Sequence, residues 1–223
     1  MDSQHLPPVE PAETHPDRLI DFWEWLVENR TQVVLAIIIA IAVVLIMKTK
    51  SLNTQLAEEA AGEDVLAAMD NRFSTEEVNP NSAASERFAK VVVNHPDTAG
   101  ARNAKFLQAS ALFEEGEFKK ADAVFSVYIS ENPLSPLQAA AALGQAACKA
   151  SLNDPGAEAA YEAICNQYVD TSEAVQATLA LGRLAKAAKD TAKAKKLFTD
   201  VSENKVSPFW ASVANELLGQ FGQ

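Results

Sequence analysis

Phe113–Phe125 reads FEEGEFKKADAVF, and these residues decide the fold of the chain. Gly116 ends one helix, a charged turn opens the next, and Ala121 and Phe125 stand one helical turn apart on it. Moving outward in both directions, the same small-then-aromatic pair recurs as Ala84/Phe88, Ala157/Tyr161 and Ala194/Phe198, at successive offsets of 37, 36 and 37 residues. That period suits a helical hairpin, and self-similarity at that period marks a stacked array in which each unit contacts mainly its neighbours. Such arrays are usually binding surfaces, so the chain is expected to hold something rather than convert it.

Each aromatic-bearing helix is preceded by a partner helix with its own small residue. Ala109, Gly144, Gly182 and Gly219 follow one another at separations of 35, 38 and 37, and Leu143, Leu181 and Leu218 stand directly before the glycines. A minimal side chain lets the facing helix approach, so that its ring fills the space. Pro96 and Pro133, each 12 residues after the alanine of its pair, close the second helix, and Pro208 does the same after Ala194.

These residues resemble the tetratricopeptide repeat, whose pattern sets a small residue on the first helix, glycine in the turn, then alanine, an aromatic and a closing proline. The resemblance covers residues 53–223 and is closest around 102–133 and 175–208. The unit around 137–170 has an extra turn residue and no closing proline, the first unit is interrupted at Asn71–Ser82, and no unit has the early tryptophan of the consensus. The resemblance implies a right-handed solenoid of about four helical hairpins plus a terminal helix.

Val33 to Met47, VVLAIIIAIAVVLIM, is fifteen residues without a polar side-chain atom. It falls a little short of a hydrocarbon core of about 30 Å, and Arg30, Lys48 and Lys50 can snorkel outward from its ends. Before it, Phe22, Trp23 and Trp25 stand where an aromatic belt would lie. The expected organisation is a disordered acidic, proline-rich leader (1–17), an interfacial amphipathic helix (18–30), a transmembrane helix (31–48) and the repeat domain (53–223). The fold class is therefore all-α: a single N-terminal transmembrane helix followed by a tetratricopeptide-like right-handed helical-hairpin solenoid. A cleaved signal peptide fits less well, because a long polar and acidic stretch precedes the apolar run. Arg18 and Arg30 on one side balance Lys48 and Lys50 on the other, so charge leaves the orientation open.

The layout of FWEWLVENRTQVVL followed by repeats resembles bacterial membrane-anchored proteins similar to the ancillary subunit of the Sec translocon. That resemblance implies a single-pass protein of the bacterial inner membrane with its N-terminus cytoplasmic and its repeats periplasmic. It also implies client polypeptides and translocon or envelope machinery as partners. An envelope or division-site assembly factor, or a cytosol-facing adaptor, remains the alternative.

Residues 51–223 carry 15 basic and 23 acidic side chains, a net of −8, with no basic stripe, so nucleic acid is not an expected partner. The basic run AKAAKDTAKAKKLF (185–198) reads as a solvated helix face. Cys148 and Cys165 are expected to stay unpaired: they sit at unequal distances from the turn near Asn153, and a disulfide requires Cα atoms about 4.4–6.8 Å apart. His5, His15 and His95 lack metal-ligand spacing, and no nucleophile elbow, phosphate loop or isolated acid/base pair stands out. No enzyme activity, metal or cofactor is expected.

In a hairpin array the first helices line the inner face. The residues there are Arg102, Asn103, Lys105, Phe106 and Gln108, then Gln138, Gln145 and Lys149, then Gln176, Arg183 and Lys186, with Arg102, Lys105, Phe106, Gln145 and Arg183 as the leading partner-binding candidates. On the last helix, Trp210 and Phe221 either close the end of the core or form a patch that binds a partner or a second copy.

Overall fold

Sequence repeats of this kind require helices joined by short connections, and that is what the structure, a computed structural model, contains. It describes residues 17–70 and 83–221. Among these there are ten helices and no strand. The acidic leader, apart from Asp17, and the interruption at Asn71–Ser82 lie outside the described residues.

The chain divides into Met1–Thr54 and Gln55–Gln223. In the first unit, α1 (Asp17–Glu28) is parted by Asn29 from α2 (Arg30–Met69). Asn29 serves both helices. Its backbone N–H and its side-chain amide each donate to the Trp25 carbonyl at 3.0 Å, and its own carbonyl accepts from Gln32 and Val33. Phe22, Trp23 and Trp25 are all more than half exposed. None of the residues in the apolar stretch of α2 is buried, and α2 is long and apolar enough to cross a membrane. Thr49 and Thr54 return their hydroxyls to carbonyls one turn back, which keeps those polar groups satisfied within the helix. α2 has no glycine or proline between Met47 and Gly62, and it is helical as far as Met69.

The second unit holds the Gln55–Met69 stretch of α2 with α3 (Ala84–Asn94), α4 (Ala99–Glu114), α5 (Phe118–Glu131), α6 (Gln138–Ser151), α7 (Ala157–Gln167), α8 (Ser172–Ala187), α9 (Thr191–Ser202) and α10 (Pro208–Gly219). From α3 onward each helix packs on the next, and α4, α6, α8 and α10 also touch in succession. The even-numbered helices thus form one continuous row.

The recurring pairs are the core of this unit. Ala121, Phe125, Ala157, Tyr161, Ala194 and Phe198 are all buried, as is Phe88, while Ala84 at the start of α3 is half-buried. A Cβ on Gly182 would come 2.5 Å from Phe198 Cε1, and one on Gly144 would come 2.4 Å from Phe125 Cζ. Both glycines thus make room for a ring, as the spacing predicts. Gly144 receives the ring of the preceding hairpin, however, and not Tyr161 of the following one, because an even-numbered helix touches neighbours on both sides. Gly219 meets nothing within 4 Å and has no packing role, since among the described residues no helix follows α10.

The turns within hairpins share one geometry. Gly116, Asn153 and Lys189 adopt φ of 80°, 53° and 65°. After each, a backbone N–H reaches five residues back: Glu117 to Leu112, Asp154 to Lys149 and Asp190 to Ala185, at 2.8–2.9 Å. This is the left-handed helix termination for which glycine is the least strained residue.

Two stability changes follow, to be read from thermal or urea unfolding of the full chain in detergent micelles. Gly182→Ala, forced against a buried ring, lowers stability by about 1–3 kcal/mol. Lys189→Gly relieves left-handed backbone and raises stability by about 0.5–1 kcal/mol after the greater freedom of glycine in the unfolded chain is counted.

Candidate protein-interaction surface

Thr98 begins α4 by accepting the Ala101 N–H at 3.0 Å, and Arg102 and Lys105 lie in the first two turns of that helix. Both side chains line one surface cleft of about 450 Å³, together with Val92, Pro96, Asp97 and Glu131. Arg102 is exposed, and its Nη1 donates to the Asp97 carbonyl at 3.3 Å. Lys105 Nζ is ion-paired with Glu131 on α5. A second cleft of similar volume shares Arg102, Glu131 and Asn132 and adds Tyr128, Pro133 and Leu134.

Phe106 packs inward: its half-buried ring meets Phe125 edge-on at 5.9 Å and Tyr128 at 5.8 Å. Gln145 is half-buried on α6, Arg183 is exposed on α8, and neither lines these clefts. The structure therefore brings Arg102 and Lys105 together beside the α3–α4 and α5–α6 connections and leaves Gln145 and Arg183 further along the even-numbered row.

At the C-terminal end, Trp210, Val213, Leu217, Leu218 and Phe221 pack on the cluster around Phe198. Phe221 lies 6.1 Å from the Phe198 ring, with Lys186 and Lys195 over it at 5.3 and 5.5 Å. Of the two roles open to Trp210 and Phe221, these contacts correspond to closing the core. Phe209 is the large apolar side chain that α10 leaves outside, 66% exposed and edge-on to Trp210.

The first hairpin adds polar ties to its apolar core around Phe88. Both carboxylate oxygens of Glu58 accept the Ala99 N–H, at 2.9 and 2.8 Å, and Glu115 accepts from the backbone and hydroxyl of Ser85. Each is a negative group placed at the N-terminus of another helix, where unpaired N–H groups favour it. Buried Arg87 donates to the Ala68 carbonyl at 3.0 Å, and His95 Nε2 lies 2.7 Å from Asp64. No periodic signal in the sequence announced these partners, because each joins residues far apart in the chain and three of the four pairs span the interruption at 71–82.

The polar chemistry at the centre is subdued. Cys148 is fully buried, and burial first, with Asp122 second, pushes its thiol up to about 11. Burial, followed by the neighbouring Cys148, also raises Tyr161. Cys165 is half-buried, with its sulfur 3.3 Å from Thr178 Oγ1 and beside a smaller cleft at the α7–α8 connection. Among the described residues no three His, Cys, Asp or Glu side chains gather as metal ligands. A scan against protein-family models finds no match to this chain, and a search of curated proteins finds none.

The two thiols should differ in reactivity. With iodoacetamide at pH 8 on the folded full chain, Cys165 is expected to label at least about tenfold faster than Cys148, whose thiolate is suppressed and shielded, and peptide mass spectrometry after a time course reads the two rates.

Proposed function

We propose that this chain is a membrane-anchored protein-interaction scaffold whose helical hairpins form a tetratricopeptide-like solenoid and bind polypeptide partners at the bilayer. The observation that carries this reading is the even-numbered row: α4, α6, α8 and α10 touch in succession, with Gly144 of α6 and Gly182 of α8 each backed by a ring. Polar side chains from Arg102 to Lys186 remain at least partly accessible along it. Amide and guanidinium donors of this kind suit a peptide bound through its backbone. Bringing a partner to the bilayer raises its effective concentration there and requires no chemistry.

The apolar stretch of α2 is the anchor in this reading. The inner membrane of a bacterium, a periplasmic repeat domain and a role in secretion or envelope protein biogenesis near the Sec translocon rest on the resemblance of the sequence layout. An assembly factor built as a homo-oligomer is the second reading, and exposed Phe209 beside Trp210 is what favours it.

Single cysteines at Ser3 and Lys205, in a Cys148→Ala/Cys165→Ala background, test the arrangement in intact cells. Labelling of Lys205→Cys by an impermeant maleimide with Ser3→Cys protected is the expected result; the reverse pattern makes the protein a cytosol-facing adaptor. A photo-cross-linking residue at Arg102, Gln145 or Arg183 should then capture other polypeptides. Capture confined to a second copy of this chain, and from Phe209 alone, would establish the assembly factor instead.

A further inference from the structure

Leucine followed by glycine occurs three times in the even-numbered helices, as Leu143-Gly144, Leu181-Gly182 and Leu218-Gly219. Two of these glycines are filled seats. A Cβ on Gly144 would strike the Phe125 ring at 2.4 Å, and one on Gly182 the Phe198 ring at 2.5 Å. Gly219 is the seat left empty within the chain. It is exposed, and nothing comes within 4 Å of the place where its Cβ would stand.

Phe209 is the converse, a ring without a seat. It is 66% exposed, and among the described residues from 55 to 221 it is the one exposed aromatic side chain. Its position is set by folded neighbours. Pro208 opens α10, the Phe209 ring stands edge-on to Trp210 at 4.8 Å, and Trp210 packs on the core around Phe198.

Ring and empty seat lie on the same side of α10. Phe209, Ser212, Glu216 and Gly219 stand at i, i+3, i+7 and i+10, and all four are exposed, while Ala214 on the opposite side is fully buried. About 15 Å of helix separates Phe209 from Gly219. The order is self-complementary. With a second α10 laid antiparallel about the level of Ala214, Phe209 of each copy meets Gly219 of the other. Ser212 of each then meets Glu216 of the other, because both pairs share that midpoint in the sequence. A face that pairs with itself is what a two-fold dimer requires. A parallel pair would set Glu216 against Glu216 and leave both glycines without a ring. Inside the chain, a ring laid over a helical glycine already joins α5 to α6 and α8 to α9.

We infer that α10 docks a second copy of this chain, antiparallel to its own α10, with the Phe209 ring of each copy seated on Gly219 of the other. The Ser212 hydroxyl donates to the facing Glu216 carboxylate. One pair of 12-residue helices falls short of the roughly 1,200–2,000 Å² buried in stable soluble complexes. The pairing therefore depends on confinement of both copies to one bilayer, which raises their effective concentration. The inference rests on the anchor in the proposed reading and not on its partner-binding face, since Arg102, Gln145 and Arg183 take no part in the contact.

The test combines two full-chain variants in phosphatidylcholine liposomes, highly diluted in lipid. Ser212→Cys and Glu216→Cys, each in a Cys148→Ala/Cys165→Ala background and with its own affinity tag, are reconstituted together and oxidised. The mixed disulfide is expected at about tenfold the yield of either like-with-like product, where chance encounter gives about twofold. Adding Phe209→Ser or Gly219→Leu to both variants should lower the mixed yield about tenfold or more. Both positions are exposed, and leucine is the better helix former at Gly219, so a melting temperature that does not fall shows that the fold persists. Like products in equal or greater yield, or a mixed yield that survives both substitutions, overturns the inference. Flotation of the liposomes separates the two readings. Protein that floats but forms no mixed product removes the pairing alone, whereas protein that does not float removes the anchor and the pairing with it.

Discussion

Where Phe198 lies across Gly182, the ring occupies the space that a methyl group would need, and the missing side chain lets the ring-bearing helix pack close. A like contact, between hairpins rather than within one, joins Phe125 to Gly144. Helix spacing in a stacked array is fixed locally, pair by pair, and an error at one contact is passed to all the units beyond it. The buried alanines at 121, 157 and 194 keep the neighbouring turn equally close. The even-numbered row depends on this approach, because it is aligned only if successive hairpins repeat the same geometry.

The periodic part of the fold was legible because it follows from contacts that recur every 36 or 37 residues. Small-aromatic pairs, the left-handed residue at Gly116 and the length of the apolar stretch all leave local marks in the sequence. Gly219 carried the same mark and misled, since a glycine is a packing site only when another helix approaches it. Gly144 was placed correctly but matched to the wrong ring, because one sequence order admits two neighbours for an even-numbered helix. The uninterrupted α2 could be read from the absence of glycine and proline between Met47 and Gly62.

The candidate surface was less legible. Lys105 meets Glu131 and Glu58 meets Ala99 across separations of 26 and 41 residues, and no local pattern reports such partners. Phe106 stands among polar residues on α4 and reads as a ligand contact, yet the helix turns it toward Phe125 and Tyr128. Leu134 announces itself only as a leucine between prolines. That it is held outside is decided by Tyr128, Ser135 and Gln138, and these act through the folded loop.

The carboxylate caps of Glu58 and Glu115 give the array a direction. Further along, hairpins are joined by rings and small residues that lose contact only when apolar surface is exposed. The first pair shares that apolar packing, with Phe88, Val91, Ala104 and Ala111 buried together, and adds carboxylate caps at its helix ends for which water is a ready substitute. The capped ends are thus the hem of this pair, the part that frays while the seam behind it holds. Protection against hydrogen exchange will be lost at the Ser85 and Ala99 amides before it is lost around Phe88 and Ala104.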